Sequence, residues 1–365
     1  MNENNSISYR QLMILFILSV MAPAVRIPSM IVKKAGTAAW LVPVAAFAVF
    51  IGLAFVIKSL YAGRSSGGLC DIITAAAGKY IGTAVCVLYV LWMTLLAAVY
   101  VRYYAERMLS TIMPDSSPEF LIAVIVLLVF LSVRAGAVAF ARLGELLFGI
   151  FIVIFVAAVA LALPDLQPER LLSVTAGDAV PVLYGAYELT SVMCLFTALF
   201  FMGDKLNRRG KILPVSLKAG AVTAVLCTAV FVAVIGILGP DMTRRSPYAF
   251  FLVIKNISIL SPMDRIEPFI LSLWTICDFI IVTMLMNAVS GALSSVLKLS
   301  EPKPFAVPLC VLLFALSGAV TSNFFDLESF SERVVVPVNV VMFFALPAVL
   351  AVVGKLRGSK NKAAG

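Results

Sequence analysis

Stretches such as GTAVCVLYVLWMTLLAAVYV (82–101) and AGAVTAVLCTAVFVAVIGIL (219–238) decide the fold class before anything else does. Each is about 20 residues long and apolar on every face, the length a helix needs to cross about 30 Å of hydrocarbon. A barrel strand would need about 10 residues of alternating polarity, and these runs do not alternate. The chain is 62% hydrophobic and 13% charged over 365 residues, more apolar than one water-soluble core can absorb. It reads as an all-α integral membrane protein, a single polytopic domain over 1–365 in contact with the lipid bilayer.

About ten transmembrane helices are predicted, at about 11–32, 38–60, 81–105, 119–138, 144–163, 179–202, 214–238, 267–296, 305–321 and 334–353. With the N-terminus in the cytoplasm, the larger share of the 28 basic residues falls inside, led by DKLNRRGKILPVSLK (204–218). The positive-inside rule then puts both termini in the cytoplasm. This distribution accounts for the net charge of +9 without nucleic acid. The polar start MNENNSISYRQ shows no cleavable signal pattern. The stretch 65–82 is expected to form a short surface helix inside, and Tyr248 to Leu260, after Pro247, an amphipathic helix outside.

Catalysis is disfavoured. The chain has no histidine, the commonest general base and metal ligand. Its six cysteines form no C-x-x-C pair and read as small buried hydrophobes, so no cofactor, metal or disulfide is expected.

The first span carries the main anomaly, SVMAPAVRIPSM (19–30). If it ended at Ala22, it would extend only about 18 Å from Gln11, too short to cross. It must continue to about Val32, with Lys33 and Lys34 at the opposite headgroups, so Pro23, Arg26 and Pro28 lie within the membrane. Each proline removes a backbone donor and clashes with the preceding turn. Freed backbone groups at that depth need protein or a wet cavity around them. Arg26 faces the interior and a partner, or the helix is merely kinked and Arg26 snorkels outward.

Secondary transporters build midplane sites from such broken helices, and their folds repeat. Five spans on, VPVLYGAYELTSVMCLFTALFFMG (180–203) contains Pro181, Gly185, Glu188 and a polar run of Thr190, Ser191, Cys194 and Thr197. The pattern fits a 5+5 inverted-repeat, transporter-like fold with discontinuous helices 1 and 6, the repeats covering about 9–165 and 178–355. In span 8, Asp278 and Asn287 are two and a half turns apart, on opposite sides, so at most one lines a central site. Asp278 is either that residue or a polar contact between helices. The candidate ligand-binding residues are Ala22, Pro23, Ala24, Val25, Arg26, Tyr187, Glu188, Cys194, Thr197 and Asp278. An ion pair from Arg26 to Glu188 or Asp278 is a further expectation. Arg102 and Glu106, four apart, are expected to form a solvated pair, and Arg265 and Glu267 a structural one at the outer edge.

Several stretches together are similar to one family: ISYRQL (7–12), AAGKYIG (76–82), YAERM (104–108), ARLGELLFG (141–149) and DRIEPFILSLWTICDF (264–279). In order and spacing the chain resembles the endospore germination permease family, the B subunits of germinant receptors (GerAB type), within the amino acid/polyamine/organocation superfamily. The resemblance implies a permease-like protein of the spore inner membrane that senses a small-molecule nutrient, often an amino acid. It also implies work beside a membrane A subunit and a lipoprotein C subunit. The chain departs from the family at the pocket. Alanines, a proline and Arg26 stand where glycines are usual in span 1, and Cys194-Leu195-Phe196 where many members have Gly-x-Glu in span 6. A secondary active transporter of amino acids or related solutes is the alternative. A subunit that binds no ligand is a third reading.

Overall fold

In the computed structural model, residues 6–62, 67–206, 212–256, 267–299, 303–321 and 323–363 are described, with side chains excepted at 267–270, 303 and 355–363. In chain order the helices are α1 (Tyr9–Ala24), α2 (Ile27–Ala35), α3 (Val42–Tyr61), α4 (Leu69–Ala77), α5 (Lys79–Thr111), α6 (Pro118–Ala135), α7 (Ala137–Ala162) and α8 (Glu169–Leu172). They continue as α9 (Ala179–Met193), α10 (Ile212–Arg245), α11 (Ala249–Lys255), α12 (Glu267–Leu297), α13 (Ala306–Ala319), α14 (Phe324–Phe330), α15 (Val336–Val340) and α16 (Leu346–Ala363). Among the described residues, 8 continuous helical stretches are long and apolar enough to cross a membrane, and α1 and α13 are shorter apolar helices. Each of the ten expected spans coincides with one or more of these helices.

Spans 1 and 6 form the centre. Every residue of α1 from Ile14 to Ala24 is buried, against α12, α10 and α7. A helix apolar all round belongs in such a position. Its start is fixed by a capping box: Ser8 Oγ accepts from the Gln11 amide at 3.2 Å, and Gln11 Oε1 from the Ser8 amide at 3.0 Å. One residue earlier, the Ile7 amide donates to the Lys205 carbonyl at 2.8 Å, tying the start of span 1 to the end of span 6.

Span 6 is interrupted in a different place from the one its Pro181 and Gly185 suggest. Pro181 lies in the first turn of α9, where a proline costs little. Gly185 serves packing, since a Cβ there would come within 2.9 Å of Ile31 and Val42. The interruption begins at Cys194, where α-helix gives way to a 3₁₀ helix over Cys194–Lys205. The stretch is kinked at Met202 (φ −91°, ψ 15°), and even the part before the kink is long for this geometry, whose runs rarely exceed three or four and often mark a hinge.

Span 10 carries a signal absent from the sequence reading. It runs from α14 through a π turn at Ser331–Val335, α15, a second π turn at Val341–Ala345 and then α16. The wider turns accompany side-chain donors to backbone carbonyls. Thr197 Oγ1 donates to the Phe343 carbonyl at 2.7 Å, and the Tyr89 hydroxyl to that of Met342.

Other boundaries shift by a few residues. Span 3 continues to Thr111 and span 5 starts at Ala137. Span 7 ends near 238 as expected: Gly239 adopts φ 76°, a left-handed value open to glycine, and Pro240 follows. The expected inner helix is α4, which is packed and not merely superficial, with Leu69, Cys70, Ile72, Ile73 and Ala76 buried. The outer helix is α11, shorter than expected. Residues 257–266 lie outside the described residues, as does the Arg265–Glu267 pair.

Candidate functional site

The prolines of span 1 explain its break. Without an N–H, Pro23 leaves the Ser19 carbonyl without its helical donor, and Pro28 does the same for that of Ala24. Between them the Arg26 amide bonds to the Pro23 carbonyl at 2.9 Å, three residues back. Val25 (φ −77°, ψ −29°) and Arg26 (φ −86°, ψ −37°) remain in the helical region, so the break is a tight turn between two helices. The bare backbone amides expected around Ala22–Val25 are therefore less open than a fully unwound segment would make them. The charged group at the break is the Arg26 side chain.

Arg26 faces the interior. Its guanidinium carbon lies 3.7 Å from the centroid of the Tyr103 ring, and Nη1 lies 3.5 Å from Met30 Sδ. The expected ion pair with Glu188 or Asp278 is not formed, and among the described residues no carboxylate lies within ion-pair distance of Arg26. Each of those acids has taken another cation. Glu188 Oε1 accepts from Lys34 Nζ at 2.7 Å, and Asp278 pairs with Arg107 of α5.

Arg26 and Glu188 line one cavity, together with Met30, Tyr100, Tyr103, Ser191, Ser331 and Asn339. Its volume is about 30 Å³, room for a water molecule or two. Glu188 is 4% exposed and its Oε2 has no hydrogen-bond partner. Asn339 accepts from Trp92 Nε1 at 3.0 Å through Oδ1, while its Nδ2 has no partner. The cavity wall thus presents a cation, an anionic oxygen and an amide donor, each with bonding capacity to spare. Lys34 also pairs with Glu332, and Lys33 reaches Glu328 at 3.4 Å, so α2 is strapped to spans 6 and 10.

A second cavity of about 20 Å³ lies on the other side of Arg26 and Tyr103, lined by Ala22, Pro23, Val25, Arg107, Tyr248, Trp274 and Asp278. Arg26, Tyr100 and Tyr103 belong to both. Tyr248, just before α11, roofs it, and burial pushes its phenol up to about 12, so the hydroxyl stays neutral.

The sequence-derived candidates divide. Arg26 and Glu188 meet in the first cavity, and Ala22, Pro23, Val25, Arg26 and Asp278 in the second. Ala24 is fully buried and lines neither. Tyr187 is 38% exposed on the outer surface of α9, with its ring 6.4 Å from that of Tyr184. Cys194 and Thr197 are fully buried below the site: the thiol is free, and the hydroxyl is engaged by span 10. Asp278 is both a cavity residue and an interhelical contact. Asn287 is among the lining residues of neither cavity, and its Nδ2 donates to the Thr283 carbonyl at 2.9 Å.

Tyr100, Tyr103, Arg107, Lys34 and Asn339 were not anticipated. The first three had a legible signal, since positions i, i+3 and i+7 share one helix face. Arg102–Glu106, expected to be solvated, is largely buried, 2.6 Å apart with side chains 7% and 15% exposed. Among the described residues no cluster of three His, Cys, Asp or Glu side chains could hold a metal.

At the end of the bundle that carries the start of α1 lies a vestibule of about 630 Å³. Gly68, Asp71, Phe201, Asp204, Asn287, Ser290 and Lys298 are among its lining residues.

The family described as "Spore germination protein" matches residues 6–325. The chain is 24% identical over 373 residues to spore germination protein KB of Bacillus subtilis (strain 168), covering 99% of this chain and 98% of that one. It is also 24% identical to spore germination protein YndE of the same organism over 291 residues, 78% of each. Among solved structures it is similar to MhsT in complex with L-phenylalanine, with TM-score 0.69, 16% identity, and coverage of 91% and 87%. Mhp1, a nucleobase-cation-symport-1 family transporter in a closed conformation with bromovinylhydantoin bound, gives TM-score 0.66, 11% identity, and coverage of 96% and 80%. At these identities the two structures speak for the fold alone, a transporter-like inverted-repeat bundle with discontinuous helices 1 and 6.

Proposed function

The chain belongs to the spore germination protein family, and from that premise we propose that it is a permease-like germinant-receptor B subunit sensing a small zwitterionic nutrient, an amino acid. One observation carries this reading. A guanidinium without an acidic partner and a carboxylate oxygen without any partner line the same enclosed cavity. Arg26 suits the ligand carboxylate and Glu188 Oε2 its ammonium, with Asn339 Nδ2 as a further donor. Charge-assisted hydrogen bonds of this kind contribute about 1.5–3 kcal/mol each. That MhsT, similar in fold, is complexed with L-phenylalanine supports an amino acid as the ligand class.

A cavity of about 30 Å³ must widen to admit such a ligand. Widening moves α2 and span 10, which form its walls, and in a sensor that displacement is the signal. The repeats span about 9–165 and 178–355, the termini face the cytoplasm, and the membrane is the spore inner membrane. The protein works with an A subunit and a lipoprotein C subunit and has no catalytic role. Deleting the gene and scoring spore germination across an amino acid panel tests the proposal. Loss of response to at least one amino acid is expected, and unchanged germination on every one would overturn it.

Net transport is the second reading, favoured by the vestibule of about 630 Å³, whose lining includes the buried Asn287 and Ser290 of α12. Purified protein in liposomes would then accumulate labelled amino acid under an ion gradient. A sensor binds without uptake.

A further inference from the structure

The cavity beyond Arg26 differs in chemistry from the one that faces Glu188. From this difference we infer a side-chain subsite that selects amino acids with an uncharged, hydrogen-bond-accepting side chain, a hydroxyl or a carboxamide. The inference rests on the amino acid reading and narrows it.

Two buried donors carry the argument. Trp274 is 1% exposed, lines the second cavity, and its Nε1 has no hydrogen-bond partner. Arg107 is 6% exposed, lines the same cavity, and its Nε has none either, although its Nη2 engages Asp278. Buried polar groups are nearly always satisfied, and an unmet donor in a dry site is costly. The two donors are neighbours, with the Arg107 guanidinium carbon 5.9 Å from the Trp274 ring. The indole is held by the packing of Phe250 and Phe251 from α11, each with its ring centroid 6.1 Å away.

The neighbouring charges exclude ionised side chains. Arg107 and Asp278 neutralise each other, so a cationic group would meet Arg107 and Arg26, and an anionic one Asp278. An uncharged acceptor meets neither repulsion and satisfies the indole N–H. A purely apolar side chain of the same shape fits the space and leaves both donors unmet, the situation in which hydrogen-bonding sites discriminate most strongly. Arg26, Tyr100 and Tyr103 line both cavities, so a ligand held by its α-carboxylate on Arg26 has the second cavity next to it.

Isosteric ligand pairs isolate the chemistry from the shape. The full-length protein in lipid nanodiscs is titrated calorimetrically with L-threonine against L-valine, and with L-asparagine against L-leucine. Threonine and asparagine are expected to bind at least about tenfold more tightly than their isosteres. In Trp274→Phe, which keeps an aromatic ring and loses the N–H, the ratio within each pair should fall to about threefold or less. Equal or tighter binding of valine and leucine overturns the subsite while leaving the zwitterion site standing. An unchanged ratio in Trp274→Phe, with ligand-free thermal unfolding also unchanged, overturns it as well. If Trp274→Phe does not fold, the wild-type ratios decide alone. If none of the four amino acids binds, the subsite and the amino acid reading fall together.

Discussion

The two ends of the bundle differ in how deeply they place charge. At the end where α2, α5 and span 10 meet, the side chains of Glu188, Arg107 and Asp278 are withdrawn from solvent, and the cavities hold only about 30 and 20 Å³. At the end with the vestibule, ion pairs are open to water: Arg10–Glu145 has side chains 74% and 35% exposed, and Lys205–Asp204 has 44% and 49%. Spans 1 and 6 are joined there by backbone contact, Ile7 to Lys205, and span 6 meets span 8 where a Cβ on Gly291 would lie 2.8 Å from the Phe201 carbonyl. Losing one partner costs a buried pair far more than an exposed one. The closed end is therefore where a ligand's charges change the energy of the protein most.

The contrast can be broken by substitutions at either end. The largest effect is expected for Arg107→Ala, which strands Asp278 in the interior. Stability should fall by about 3–5 kcal/mol in thermal unfolding without ligand, and Arg107→Met with Asp278→Leu should recover much of it. A small loss in the single variant would mean that water reaches Asp278. Next comes Glu188→Gln, which removes the anion offered to the ligand ammonium. Amino acid binding should weaken by about 1.5–3 kcal/mol, or roughly ten- to a hundredfold, by calorimetry. Lys34→Met should have a smaller effect. Its side chain is 32% exposed, so water screens the pair with Glu332 but only partly the one with buried Glu188, and a stability loss of about 1–2 kcal/mol is expected in chemical unfolding. Asp204→Asn at the vestibule should be close to silent, changing affinity less than about twofold. A large effect there would erase the distinction between the ends.

Much of this arrangement was legible in the sequence, for physical reasons. The ten spans follow from apolar length, and the turn at Val25–Arg26 follows from two prolines within a stretch that must cross the membrane. Glu188 and Asp278 stood out because ionised groups are expensive at that depth. Their partners did not, since sequence gives no distance between spans. Lys34 was assigned to the headgroups, yet it reaches Glu188 from the last turn of α2. A pair four residues apart on a helix face reads as solvated whatever lies opposite it, whereas α5 continues to Thr111 and the Arg102–Glu106 pair is largely buried. The 3₁₀ stretch from Cys194 and the π turns of span 10 had no local signal, because valine, leucine and phenylalanine fit either helix type. Their geometry is set by contacts between spans 6 and 10, such as Thr197 to the Phe343 carbonyl.

Removing one ligand charge at a time tests the centre of the account. L-serine, ethanolamine and 3-hydroxypropanoate are titrated calorimetrically into the same wild-type preparation. The amine lacks the group meant for Arg26, and the acid lacks the one meant for Glu188. Serine should bind at least about tenfold more tightly than either analogue, since each has lost one charge-assisted contact. Binding of ethanolamine or 3-hydroxypropanoate as tight as that of serine would contradict a zwitterion held between Arg26 and Glu188.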